Sequence, residues 1–123
     1  MRSPTVSARE KADITAICQT FIDTVLKPRF LPTIRPTQFN YLVDIQGKWH
    51  GHKYRFLQRY RSGFEDNRGK EFDAPFVRLD WIAPDRFNVQ WHRHTGQWWP
   101  IHNNLPLKAA LDAIIDNGIL HPL

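Results

Sequence analysis

Between Phe39 and Trp91, in segments parted by polar turns, apolar residues recur at every second position, while on either side of that stretch they recur at every third or fourth. A period of two belongs to a strand with one buried face and a period near 3.6 to a helix with one buried stripe, so the chain is confined to a sheet flanked by two helices.

The first helix is expected over residues 7–27. Ser7-Ala-Arg-Glu10 has the spacing of a capping box, and Ile14, Ile17, Cys18, Phe21, Ile22 and Val25 form one stripe, with Lys11, Gln19 and Asp23 lying off it. Pro28 is expected to end the helix, and Pro32 and Pro36 keep residues 28–37 extended, since proline donates to neither a helix nor a sheet ladder.

Residues 38–61 read as a hairpin. Phe39, Tyr41, Val43 and Ile45 face one way; after a turn at Gly47 to Gly51, Tyr54, Phe56 and Tyr60 alternate with Lys53, Arg55, Leu57, Arg59 and Arg61. Residues 62–73 are polar and without a period, which predicts an exposed loop. Val77, Leu79 and Trp81, a turn at Ala83 to Arg86, and Phe87, Val89 and Trp91 make a second hairpin within residues 74–102. Trp98 to His102 can add a short fifth strand that Pro100 confines to an edge. A last helix over residues 105–117 carries Leu107, Ala110, Leu111, Ile114 and Ile115 on one stripe, with Asn104 as its cap, Pro106 in its first turn and Gly118 closing it.

Every element then has one apolar side. Laying both helices on the aromatic face of a four- or five-stranded antiparallel meander buries all of them, so the expected fold is α+β in a single domain. The 123 residues and an apolar share of 41% suit one globular core. No apolar run approaches the roughly 20 residues that span a bilayer, and Met1 to Glu10 has no apolar stretch of a secretory leader, so no membrane is expected and the cytoplasm is the expected compartment. Cys18, the sole cysteine, lies on the first helix's apolar stripe and is expected to be an inert core thiol.

Seventeen Lys and Arg face twelve Asp and Glu, which favours acidic partners. The strand Lys53-Tyr-Arg-Phe-Leu-Gln-Arg-Tyr-Arg61 places Lys53, Arg55, Arg59 and Arg61 on one face, and with Arg78 and the loop residues Arg68 and Lys70 these are the candidate contacts to a nucleic acid. Against that stands a structural reading in which Arg55 and Arg59 pair with Asp44 and Asp80 on neighbouring strands, with Asp80 also countering Arg78. Of five tryptophans, Trp81 and Trp91 fall on the core face, whereas Trp49, Trp98 and Trp99 sit in or beside turns and are candidate anchors for a protein interface.

Two His-x-His pairs, His50 with His52 and His92 with His94, have the spacing of strand-borne metal ligands, but a meander puts the pairs at opposite ends of strands that run parallel. They are read as strand-end histidines, and no metal or other cofactor is expected. The chain has no Gly-x-Ser-x-Gly elbow, phosphate-binding glycine loop, dinucleotide fingerprint or His-Glu-x-x-His helix, so no catalytic residue is assigned.

The strand-like Tyr41 to Gln46, the strand Val89-Gln-Trp-His-Arg93, the turn Gly96-Gln-Trp-Trp-Pro-Ile101 and the Leu-rich helix after Leu105 together resemble a bacterial family known as domain of unknown function 3024. The resemblance implies the same order of helix, hairpins and helix, and implies no activity, cofactor or catalytic residue. The residues therefore point first to a non-enzymatic basic binding module with nucleic acid as partner. A protein-interaction module, of inhibitor or immunity type, comes second, and a histidine-based metal-dependent hydrolase or nuclease third.

Overall fold

A computed structural model describes residues 5–31, 33–93 and 95–122. Five strands, β1 (Asn40–His50), β2 (Lys53–Ser62), β3 (Glu71–Ala83), β4 (Arg86–His92) and β5 (Trp98–Leu105), form one antiparallel sheet in chain order. Helix α1 (Ala8–Phe21) runs through a π-turn (Ile22–Leu26) into α2 (Lys27–Phe30), and α3 (Leu107–Asp116) follows the sheet. The protein is α+β, with its helices on one face of a meander. No helix among the described residues is long and apolar enough to cross a membrane.

The core lies between the helices and that face. Ile14, Cys18, Phe21, Ile22 and Leu26 from the first helical segment, and Leu107, Ala110, Leu111, Ile114 and Leu120 from the C-terminal one, pack on Ile45, Tyr54, Phe56, Val77, Leu79, Trp81, Phe87 and Val89. Ile17, expected on the same stripe, is 49% exposed. It lies beyond the edge of the contact, beside a surface groove that it lines with Phe21, Leu107 and Leu111.

Ser7 caps α1 by accepting from the Glu10 N–H at 3.1 Å. Pro28 does not end the helix. Ahead of it the backbone widens to π spacing, the Lys27 N–H donating to the carbonyl of Ile22 five residues back. Pro28 thus opens the last turn, where a missing N–H leaves little unsatisfied, and the helical backbone continues to Phe30.

Two of the sheet's register shifts bear on the first two strands. The β1–β2 register shifts between Leu42 and Asp44, and the β2–β3 register between Phe56 and Leu57. A bulge offsets one strand against its partner, so side chains beyond it no longer follow the original parity. Tyr41 is accordingly half-buried, although Val43 and Ile45 reach the interior, and Phe39, 57% exposed, lies before the strand begins.

The expected loop over residues 62–73 is shorter. β3 begins at Glu71, and Ser62 donates its N–H to Lys70 O and accepts from the Gly69 N–H, both at 2.8 Å. Glu71 and Asp73 belong to the ladder because their carboxylates meet Arg61 and Arg59 across it. The turn expected at Gly47 to Gly51 is also tighter: β1 runs to His50, paired with Lys53, and only Gly51 and His52 turn the chain, Gly51 supplying the φ of 62° that such a two-residue loop requires.

Asn104 does not cap α3. It ends β5 with a φ of 58° and donates its N–H to Asn88 Oδ1 at 3.0 Å. The first helical N–H, that of Leu107, donates instead to Asp85 Oδ1 at 2.9 Å. A side chain from the β3–β4 turn thus does the work of a cap, and helix begins at Leu107.

Candidate functional site

The face of the sheet away from the helices carries no other described element. Register puts Lys48 opposite Arg55, Arg55 opposite Arg78, Arg78 opposite Gln90 and Gln90 opposite Pro100, a single row across all five strands. Three cations thus stand side by side on β1, β2 and β3. Like charges facing each other across a ladder repel unless something compensates them, so the pairing of each one matters.

Arg78 is compensated: its Nε and Nη2 donate to Asp80 at 2.6 and 3.0 Å, and its Cζ stands 4.7 Å from the Trp98 ring. Farther along β2, Arg59 forms a two-pronged pair with Asp73 at 2.9 and 3.3 Å, and Arg61 donates to Glu71 at 3.1 Å. The side chains of Arg59 and Arg61 do not add to the excess charge of the face. Arg68 and Lys70 are exposed in the loop at the opposite end of β2 from Lys53.

Arg55 differs. Asp44, one of the acids expected to balance Arg55 and Arg59, is turned toward the helices, where it lies 3.3 Å from Lys27 Nζ and accepts from Ile45 N–H and Gln46 Nε2. These contacts hold the Asp44 carboxyl below its ordinary pKa against the upward pull of partial burial. Asp80 is engaged by Arg78 rather than Arg59. Among the described residues Arg55 has no carboxylate partner, and its Nε is enclosed without an acceptor. Its Cζ lies 5.9 Å from the Trp98 ring. Lys48 and Lys53 flank it, also without an ion pair among the described residues. A shallow depression of about 260 Å³ opens here, lined by Lys48, His50, Arg55, Leu57, Asp73 and Pro75. Leu57, only 7% exposed, shares its lining with Pro75.

The structure therefore gathers Lys53, Arg55 and Arg78 of the expected cations and adds Lys48, which sequence reasoning placed in a turn. Carrying the period of two through Gly47 would have found it. Trp98, expected as a protein-interface anchor, is half-buried beneath the two arginines. Trp49 is half-buried between α1 and the sheet: its Nε1–H donates to Thr15 Oγ1 at 2.7 Å and its ring meets Tyr54 edge-on at 5.4 Å. Trp99 is 51% exposed, paired across strands with Trp91.

The histidines do not gather. His50 ends β1 and is exposed, His52 lies in the turn and stacks on Trp81 at 6.2 Å, and His92 sits at the far end of β4. His94 falls outside the described residues. No group of three or more metal-ligating side chains occurs among the described residues. Cys18 is fully buried, which pushes its thiol up to about 12 and leaves it protonated at neutral pH.

His92 belongs instead to the basic face, its ring 4.9 Å from Trp98. Partial burial, and then the Arg55 charge, lower its pKa below the ordinary 6.5. The unfolded chain thus takes up this proton at a higher pH than the folded one, so His92 should withdraw stability as pH falls from 6.5 to its own lowered pKa and no further below that. The His92 Hε1 resonance should titrate below 6.5, and Arg55→Gln should move the midpoint part of the way back. A midpoint at or above 6.5, or one indifferent to Arg55→Gln, would contradict this electrostatic account.

Compared with known proteins, residues 6–122 match the family model described as domain of unknown function (DUF3024). No curated protein and no solved structure matches the chain.

Proposed function

We propose, for a chain that belongs to the DUF3024 family, to which no function is assigned, that the uncovered sheet face binds the phosphate backbone of a nucleic acid. The observation that supports this most is Arg55, a half-buried guanidinium with an enclosed, unpartnered Nε in a row of like charges. A half-buried cation left unpaired is costly, and a phosphate that meets the Nη groups of this guanidinium, which are not enclosed, supplies the missing charge. Lys48 and Lys53 extend the contact along the hairpin, and Arg78 completes the row.

The shape favours a single strand. Five strands at about 4.8 Å spacing make a face about 19 Å across, too broad for a major groove about 12 Å wide. A single strand laid across β1, β2 and β3 brings successive phosphates to the cations and leaves its bases free to meet an aromatic edge such as that of Trp98.

The test is fluorescence anisotropy with short labelled single-stranded DNA and RNA, with a duplex of the same sequence for comparison. About three phosphate contacts on a single strand give a salt slope near −2, so affinity should fall roughly fifty-fold between about 20 and about 150 mM salt. Absence of binding at the lower salt would overturn the proposal. Binding that ignores salt would show that base stacking, not the cations, holds the strand, and would overturn the phosphate reading.

A further inference from the structure

On the helix-bearing side of the sheet, where β4 passes toward β5, a cleft of about 460 Å³ is walled by Tyr60, Phe76, Trp91 and Ile119, with Gln58, His92 and Arg93 among the polar members of its lining. That volume falls within the range of small-molecule sites, which are typically apolar clefts with a few placed polar groups. Arg93 is held at its backbone, its N–H donating to Gln97 O and its carbonyl accepting from Gly96 N–H, both at 2.9 Å. Its Cζ lies 5.2 Å from the Trp99 ring and 5.9 Å from the Trp91 ring, both within cation–π reach. The guanidinium is thus placed by two indoles that are themselves paired across strands.

This arginine also has an enclosed Nε without an acceptor, and no carboxylate among the described residues forms an ion pair with it. With Nε enclosed, the two Nη groups are the donors left for an acceptor from outside the chain. His121, on the same lining, is already engaged: its Nε2 lies 2.7 Å from the Ile115 carbonyl, and its ring packs on Phe30 at 4.8 Å.

We propose that this cleft binds a small aromatic carboxylate, its carboxylate on the fork of Arg93 and its ring among Tyr60, Phe76 and Trp91. The planar guanidinium matches a carboxylate through two parallel N–H donors. One guanidinium balances one negative charge, whereas a phosphate dianion would bring an unbalanced second charge into an aromatic pocket. The cleft opens on the other side of the sheet from the polyanion face, although His92 and Pro75 border both.

The test uses the full chain and the indole N–H resonances of Trp91 and Trp99. 2-Naphthoate should shift both saturably, 2-naphthylmethanol at least about tenfold more weakly, and inorganic phosphate should not displace the naphthoate at equal concentration. Arg93→Gln should weaken naphthoate at least about tenfold while the Trp81 indole resonance, deep in the core, stays in place, and Arg93→Lys should fall between the two. If Arg93→Gln fails to fold, the preference of the wild-type chain for naphthoate over the alcohol decides alone. Equal binding of acid and alcohol, displacement by phosphate, or undiminished binding by folded Arg93→Gln would each overturn the assignment.

Discussion

Gly47→Ala is expected to cost about 3 kcal/mol of folding stability, the upper part of what forcing an extra group into a well-packed core usually costs. A methyl group at this position would overlap Oη and Cζ of Tyr54 and lie 2.6 Å from its Cε1. The ring cannot step aside. Tyr54 is 1% exposed and packs edge-on against Trp49 at 5.4 Å and Phe56 at 5.2 Å, beneath a helix whose Cys18 is fully buried. The glycine in the middle of β1 is therefore the space in which an aromatic ring lies. Urea denaturation should give the loss directly, and in a Tyr54→Ala background the same added methyl should cost little, since coupling between touching residues is what a double-mutant cycle reports. Gly118→Ala, where nothing lies within 4 Å and φ is not positive, is the matched control and should be close to neutral. A loss below about 1 kcal/mol at Gly47 would mean that the sheet relaxes around the methyl group and that the ring does not dictate the glycine.

What can be read from the sequence follows the range of the interaction. The stripe Ile14, Cys18, Phe21 and Ile22 is a local pattern, as is the alternation in β2 and β4, and each identifies its element without knowledge of any partner. The features that escaped such reading are non-local. Asp85 caps a helix 22 residues away because two turns meet at one end of the sheet, so Asn104, the local candidate, is displaced. Glu71 and Asp73 look like loop residues until Arg61 and Arg59 stand opposite them. The same register decides the candidate site: which arginine of β2 meets an acid depends on the offset between Phe56 and Leu57, and no property of Arg55 or Arg59 alone distinguishes them. Lys48 was hidden by the glycines on either side, which signal a turn in sequence, although only Gly51 makes one.

That distinction between two arginines four residues apart on one strand yields the sharpest functional expectation. Arg55→Glu should weaken single-stranded nucleic acid binding by about a hundredfold at low salt, because it removes one phosphate contact and sets a carboxylate in the row between Lys48 and Arg78. Arg59→Glu changes the formal charge by the same amount, yet the Arg59 guanidinium is already held by Asp73 through Nε and Nη2. Binding should drop by no more than about tenfold there, through the long-range field alone, and that remnant should fade at physiological salt, where charges more than about 8 Å apart are largely screened. The salt slope separates the cases further: Arg55→Gln should reduce it by about 0.7, the value of one phosphate on a single strand, and Arg59→Gln should leave it unchanged. Equal losses for the two reversals would show that net charge, not the placement of Arg55, attracts the strand. A larger loss for Arg59 would move the contact surface toward Arg61 and the loop that carries Arg68 and Lys70. Far-UV circular dichroism and the urea midpoint must accompany each variant, since Arg59→Glu also sets two carboxylates face to face and should lower stability by a few tenths of a kcal/mol to about 1 kcal/mol. The two measurements should therefore diverge, with Arg55→Glu losing chiefly binding and Arg59→Glu losing chiefly stability.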